Sequence, residues 1–158
     1  MIMFMKNIIF GLYFVFSLVG CAGTYQMKAS DSLSSYNAKT VHVINQGGNS
    51  KDMDDHVARA LIARGFKVSD GLPTQTVPKT DLLVKYTDSW FWDVTMYLKA
   101  VEVTFYDRNG NILASGEYNN HPFFHGYPEE SEVVQKIIDG IVEQMGKAKL
   151  QKQAAAKP

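Results

Sequence analysis

The strongest constraint on the fold of this 158-residue chain is a turn signal between two β-prone runs. Asp107 and Arg108 precede Asn109-Gly110, and Asn and Gly accept the positive φ values that a tight hairpin requires. Residues 95–106, before the turn, are rich in Val, Thr and aromatic side chains, which favour strands. Residues 112–118 then return, so the sequence predicts an antiparallel hairpin whose Asn-Gly pair supplies those φ values.

Three further strands precede this hairpin in the chain. Apolar side chains at Leu82, Val84 and Tyr86 alternate with other positions, which is typical of a strand with one buried face. Residues 41–44 and 66–68 are shorter β-prone runs. The second of these ends in residues 71–80, which contain two prolines.

Two helices are predicted, over residues 51–64 and 128–146. Ser50 can cap the first helix, and Gly65 suits the left-handed conformation that follows many helices. Each helix has one apolar side, which must be buried against another layer. Those sides are formed by Met53, Val57, Ala60 and Leu61 in the first helix and by Val134, Ile137, Ile138, Ile141 and Met145 in the second.

The predicted order of elements is β-α-β-β-β-β-α, which indicates an α+β fold. Such an order builds a two-layer sandwich, here a mostly antiparallel sheet of about five strands with two helices on one face. Residues 40–146 form this domain. Residues 147–158 contain mainly Ala, Lys and Gln, so we expect a basic tail that is disordered or frays from the last helix.

The N-terminus has the order of an export signal. Lys6 precedes an apolar run over residues 8–19, and the run ends at the small residue Gly20. This run covers 12 positions, too few for a membrane span, which needs about 20 residues. Residues 1–20 are therefore predicted to be a signal peptide. The alternative is a buried apolar helix in which the single cysteine, Cys21, is an incidental thiol.

The junction Leu18-Val19-Gly20-Cys21-Ala22 resembles the lipobox of bacterial lipoproteins. This resemblance implies that the leader is removed before Cys21 and that the Cys21 sulfur receives diacylglycerol. Ala22, in place of Asp, implies retention in the outer membrane, facing the periplasm, rather than in the inner membrane. Residues 21–39 are then a lipidated cysteine with a polar tether, of which about 17 flexible residues would span on the order of 20 to 25 Å.

Trp90, Phe91 and Trp92 lie where residues 82–87 lead to the next strand, in a connection that would normally be polar. Consecutive strand residues cannot all face one core, so at least one ring should point elsewhere. A partner surface or the lipid headgroup zone would use such a ring. The alternative is that all three rings serve packing, two at the end of the sheet and one at a helix edge.

A second aromatic segment is His121-Pro122-Phe123-Phe124-His125. Its His and Phe residues and Trp90, Phe91 and Trp92 together form the candidate interaction surface. The two imidazoles of the segment are four residues apart, but Pro122 favours a loop over a helix. Zinc needs three or four ligands, and His42 and His56 are the only other histidines, so we predict no metal site.

No catalytic group or cofactor motif is apparent. The glycine turn at residues 46–51 lacks the phosphate-loop spacing, and Ser115 in Ala114-Ser115-Gly116 lacks the flanking pattern of a nucleophile elbow. Asp93, Asp107 and Glu117 could include a carboxylate pair, but turn chemistry already explains Asp107. Lys plus Arg equals Asp plus Glu at 16 each, so no basic surplus attracts nucleic acid.

The central strands also carry a resemblance. Residues 81–86, Trp90-Phe91-Trp92-Asp93, Met96-Tyr97-Leu98 and Asp107-Arg108-Asn109-Gly110 resemble small Gram-negative outer-membrane lipoproteins of an uncharacterised family. Their sandwich is similar to those of the lipopolysaccharide-assembly lipoprotein and the N-terminal domain of the Tol system's propeller protein. The resemblance implies a scaffold or binding role without catalytic residues.

The sequence thus predicts a membrane-anchored periplasmic lipoprotein that acts as a binding or assembly module and is not an enzyme. Its expected partners are the membrane, through the lipid on Cys21, and an envelope protein or glycolipid. Two alternatives remain open: a small envelope hydrolase or glycan-acting enzyme, and a structural envelope component without a specific ligand.

Overall fold

The computed structural model describes residues 23–30, 37–45, 52–71, 79–121 and 126–155. The predicted signal peptide, Cys21, Ser50 and residues 122–125 with Phe123, Phe124 and His125 lie outside the described residues. The elements are β1 (Thr24–Ala29), β2 (Thr40–Ile44), α1 (Met53–Ala63), β3 (Lys67–Gly71), β4 (Leu82–Trp92), β5 (Met96–Tyr106), β6 (Ile112–Asn119) and α2 (Glu130–Ala155).

The strands form one sheet in the order β1-β6-β5-β4-β2-β3. β4, β5, β6 and β1 pair antiparallel, whereas β2 is parallel to both β3 and β4. The α+β two-layer sandwich predicted from the sequence is confirmed, with six strands in a mixed sheet rather than about five.

The core lies between one face of the sheet and the two helices. The predicted apolar sides of both helices, apart from the partly buried Met145, are buried in one cluster with alternate residues of the sheet, among them Val84, Val103 and Phe105. Arg64, at the end of α1, donates to Asp139 of α2 at 2.5 Å and joins the two helices at their edge. The helices cover one face, so the other face of the four antiparallel strands carries the more polar set of side chains.

Residues 24–29 belong to the segment predicted as a polar tether, and they form an edge strand instead. β1 runs antiparallel to β6 from Thr24, opposite Asn119, to Ala29. The Tyr25 ring packs against the core, 4.9 Å from the ring of Tyr118, and the remaining side chains of β1 are partly or fully exposed. β1 therefore contributes little to the core. These six residues show no sustained apolar alternation, so their composition resembles that of a linker. They form a strand because β6 offers an unpaired edge with which they can pair.

Both helices differ from the prediction at their ends. α1 begins at Met53 rather than at residue 51, after Asp52 with a φ of 57°. α2 continues to Ala155, so residues 147–155 are helical; their Ala, Lys, Gln and Leu side chains are strong helix formers. The predicted hairpin is confirmed, but only Gly110 of its turn has a positive φ, at 84°.

Asp107 explains that turn. Its carboxylate accepts hydrogen bonds from the backbone N–H groups of Asn109 and Asn111, each at 2.8 Å, and from the Asn111 side chain. These bonds, that of the Asn111 amide above all, lower the pKa of Asp107. A five-residue connection organised around one carboxylate therefore replaces the two-residue turn that Asn-Gly favours.

Asp81 fixes the parallel pairing of β2 with β4. Its Oδ2 accepts from the backbone N–H groups of Lys39 and Thr40 at 2.9 and 3.0 Å and from the Thr40 hydroxyl at 2.8 Å. Arg108 lies 3.2 Å from the other oxygen. The bond from Lys39, followed by those from Thr40, lowers the pKa of Asp81 to about 2. One carboxylate thus holds the starts of two strands together.

Candidate functional site

The three consecutive aromatic residues are the last residues of β4, not a connecting loop. β4 runs through Trp92, and only residues 93–95 separate it from β5. The register between β4 and β5 shifts after Ser89, because Ser89 pairs with Ala100 whereas Trp90 pairs with Leu98. Lys99 is the extra residue of this bulge, and its carbonyl accepts from the Asn120 N–H at 2.8 Å.

The three rings differ in their surroundings. Trp90 and Leu98 pack with the core, and the Trp90 indole N–H donates to Asp88 at 2.5 Å. Burial raises the pKa of Asp88, and the indole hydrogen bond acts in the opposite direction. Phe91 and Trp92 are exposed. The prediction that at least one of the three rings points away from the core is therefore confirmed, with one ring against the core and two exposed.

The exposed rings belong to a larger apolar surface at this end of the sheet, which we call the tip surface. It consists of Phe91 (52% exposed), Trp92 (66%), Val94 (86%), Met96 (44%) and Tyr127 (54%). Among the described residues, the other large apolar side chains that are similarly exposed are Ile62, Ile112 and Leu150. Five of eight thus lie at one end, which indicates a surface with a function rather than scattered exposure.

Contacts between rings connect the tip surface. Phe91 lies 6.0 Å from Tyr97, and Tyr97 lies 5.7 Å from Tyr127, both edge to face. Asp93 organises the turn, since its carboxylate accepts from the N–H groups of Val94 and Thr95 and, at 2.9 Å, from the Tyr127 hydroxyl. That hydrogen bond raises the pKa of Tyr127. These ring contacts and hydrogen bonds therefore fix the turn in a conformation in which its apolar side chains are exposed.

Charges of both signs surround the tip surface. The Lys99 ammonium lies 5.6 Å from the centre of the Phe91 ring, and the Lys136 ammonium lies 5.7 Å from that of Tyr25. Asp93 lies in the turn itself, and α2 begins at this end with Glu130 and Glu132 in its first turn. The surface is thus amphipathic, without a large excess of one sign.

A cavity of about 260 Å³ adjoins the tip surface. It lies between the start of β1, the end of β6 and the start of α2, and Asn120 closes its floor with hydrogen bonds to the carbonyls of Leu98 and Gly126 at 3.2 and 2.9 Å. Its lining comprises Gly23, Tyr25, Tyr118, Asn120, Gly126, Tyr127, Pro128 and Lys136.

Of the predicted segment 121–125, the structure describes His121, which is exposed at the end of β6. It lies at the same end of the sheet as Trp90, Phe91 and Trp92. In the part of the chain that the structure describes, no three His, Cys, Asp or Glu side chains lie close enough to hold a metal ion.

The three carboxylates considered from the sequence do not meet. Asp93 and Asp107 lie at opposite ends of the 11-residue strand β5, and Glu117 lies within β6. Sequence reasoning missed Val94, Met96 and Tyr127, which complete the tip surface. For Val94 and Met96, the available signal was the series of apolar residues in and around a three-residue turn.

None of the described helices combines the length and the apolar character that a membrane crossing requires. No protein-family model matches the chain, and no curated protein sequence matches it significantly.

Comparison with solved structures finds the same fold elsewhere. A variant of PelC from Paraburkholderia phytofirmans, a dodecamer, matches with a TM-score of 0.52 and 16% identity, over 78% of this chain and 96% of PelC. A second PelC dodecamer structure matches with a TM-score of 0.51 and 14% identity, over 76% and 96% of the two chains. A minor lipoprotein from Acinetobacter baumannii matches with a TM-score of only 0.28, at 16% identity, over 74% and 97%.

Proposed function

We propose that this protein is a lipoprotein of the bacterial outer membrane that faces the periplasm and acts there as a binding or assembly module, not as an enzyme. The lipid on Cys21 anchors it, and the tip surface binds an envelope component, either a protein or a glycolipid. The tip surface is the observation that carries the proposal, because monomeric proteins rarely hold a cluster of large apolar side chains in water.

The construction of this surface supports a binding role. Trp90 packs against the core, whereas Phe91 points to the other face of the strand and Trp92, the last residue of β4, is exposed. Asp93 and Tyr127 brace the turn between them. Exposed aromatic side chains on a rigid element lose little conformational freedom on binding, and such residues dominate interface energies.

The binding role can be tested by photo-crosslinking in the native host. A photoreactive amino acid at Val94, which is 86% exposed, samples the tip surface without disturbing packing. The matched control is Ile112, which is 57% exposed at the opposite end of β5 and β6. We expect an adduct with an envelope component from position 94 and none from 112. An adduct with a second copy of this chain would support the assembly form of the proposal.

Equal labelling from both positions, or none from position 94, would contradict a binding role for the tip surface. The anchor is tested separately with Cys21→Ser, which should release the protein from membranes and abolish labelling by a palmitate analogue. Retention of membrane binding and of the label by this variant would contradict the anchor.

A further inference from the structure

The start of β1 lies at the same end of the sheet as the tip surface. Thr24 pairs with Asn119, Asn119 pairs with Ala100, and Ala100 pairs with Ser89, so one row crosses the sheet from β1 to β4. Three strand spacings of about 4.8 Å put Thr24 roughly 14 Å from Ser89. Beyond Ser89, β4 continues for three residues to Trp92, or about 10 Å past the row.

The proposed anchor cannot lie far from this row. Cys21 precedes Thr24 by three residues, which span at most about 11 Å. The turn at Gly110 lies at the other end of β5, more than 20 Å from the row by the rise of a strand. A 17-residue coil would have let the domain turn freely, but an edge strand that begins at Thr24 leaves almost no slack.

We infer that the tip surface faces the bilayer that holds the lipid anchor, and that Phe91, Trp92, Val94 and Met96 insert into its headgroup region. The inference rests on the anchor at Cys21 in the proposed function, and it replaces the protein or glycolipid proposed there for the tip surface with the lipid headgroups of the bilayer. It goes further than the anchor, because it fixes how the domain is oriented on the membrane.

The chemistry of the tip surface fits a membrane interface. Trp and Tyr favour that zone because each has an apolar body and one polar group, and Trp92 and Tyr127 both occur here. Val94 and Met96 add apolar area that needs no hydrogen-bond partner. Lys99, over the Phe91 ring, is placed to reach lipid phosphate, whereas Asp93 is occupied by the turn and by Tyr127. Because Glu130 and Glu132 offset the lysines, insertion should depend little on salt.

The chain's two tryptophans allow a direct test. The acylated mature protein is reconstituted into vesicles of phosphatidylethanolamine and phosphatidylglycerol whose acyl chains carry bromine close to the headgroup. Trp90→Phe leaves Trp92 as the fluorophore, and Trp92→Phe leaves Trp90, which packs with the core. We expect brominated lipid to quench Trp92 several-fold more strongly than Trp90. The emission maximum of Trp92 in the vesicle-bound protein should also lie at a shorter wavelength than in the unanchored Cys21→Ser protein in detergent-free solution.

A second pair of variants guards against disturbance of the core by Trp90→Phe. Val94→Cys and Ile112→Cys each supply one free thiol for a spin label, since the chain's own cysteine carries the lipid. The label at position 94 should report membrane depth and the label at 112 should report water. Vesicle-bound protein whose Trp92 and position-94 label both remain in water would overturn the orientation while leaving the anchor intact. Protein that does not float with vesicles would overturn the anchor and the inference with it.

Discussion

The packing of α2 on the sheet gives a prediction whose sign the structure determines. Gly116 lies in β6 beneath α2, and a Cβ at this position would lie 2.6 Å from Ile137 Cγ2 and 3.2 Å from Ile141 Cδ1. The Ile137 methyl is attached directly to Cβ of a helical residue with one strongly preferred rotamer, so it cannot swing away. Gly116→Ala should therefore force the helix outward.

The magnitude combines two opposing effects. Overpacking of a well-filled core costs about 1–3 kcal/mol, while replacing Gly by Ala within a strand returns about 0.5–1 kcal/mol. We expect Gly116→Ala to lower the free energy of unfolding by about 1–2 kcal/mol. For a domain of this size, that corresponds to a fall in melting temperature of roughly 3–10 °C.

Gly140→Ala is the matched control. Its Cβ would lie 2.7 Å from Cε of Met27, the free end of a flexible side chain in β1. That methyl can move, and Ala gains about 0.8–1 kcal/mol over Gly in a helix interior, so this variant should be neutral or more stable. Both are measured by urea denaturation followed by circular dichroism. A Gly116→Ala protein as stable as the parent would refute the proposed packing of α2 on β6.

Two further predictions concern pH and the tip surface. Because the pKa of Asp81 falls from 3.8 to about 2 in the folded state, its contribution is full above pH 3.8 and is lost as the pH falls through about 2. After a discount for partial exposure, this contribution is about 1 kcal/mol. Asp81→Asn should therefore lower the free energy of unfolding at pH 6 and reduce how much of it is lost between pH 4 and pH 2, as measured by chemical denaturation. A variant that loses as much stability as the parent over that pH range would contradict this. Trp92→Ala should change the free energy of unfolding by less than about 0.5 kcal/mol while weakening vesicle binding, whereas Trp90→Ala should cost about 2 kcal/mol. Equal losses of stability in the two variants would contradict the assignment of Trp90 to the core and Trp92 to the surface.

Local patterns were sufficient to predict most of this fold. The period-two alternation of Leu82, Val84 and Tyr86 and the apolar side of α2 each follow from one segment and one buried face. The edge strand β1 does not, because its pairing is decided by β6, more than 80 residues later in the chain. The stop of α2 at Gly146 was predicted from composition, yet the helix-forming residues that follow carry it on to Ala155.

Local patterns also predict part of the candidate site, but not the part that depends on contacts distant in the sequence. Alternation alone implies that Trp90 and Phe91 point to opposite faces, and this is confirmed. Trp92 shares the face of Trp90 by the same alternation, yet it is 66% exposed at the end of β4, which the local pattern does not indicate. Tyr127 joins the surface through Asp93, a contact across 34 residues that no local pattern indicates.

The central claim is that lipid on Cys21, three residues before the first strand, holds this domain at a membrane surface. Mass spectrometry of the N-terminal peptide, prepared from membranes of the native host, tests this most directly. The account predicts a mature chain that begins at Cys21 and carries diacylglycerol on its sulfur. An unmodified Cys21 thiol, or a leader still attached to the chain, would contradict it.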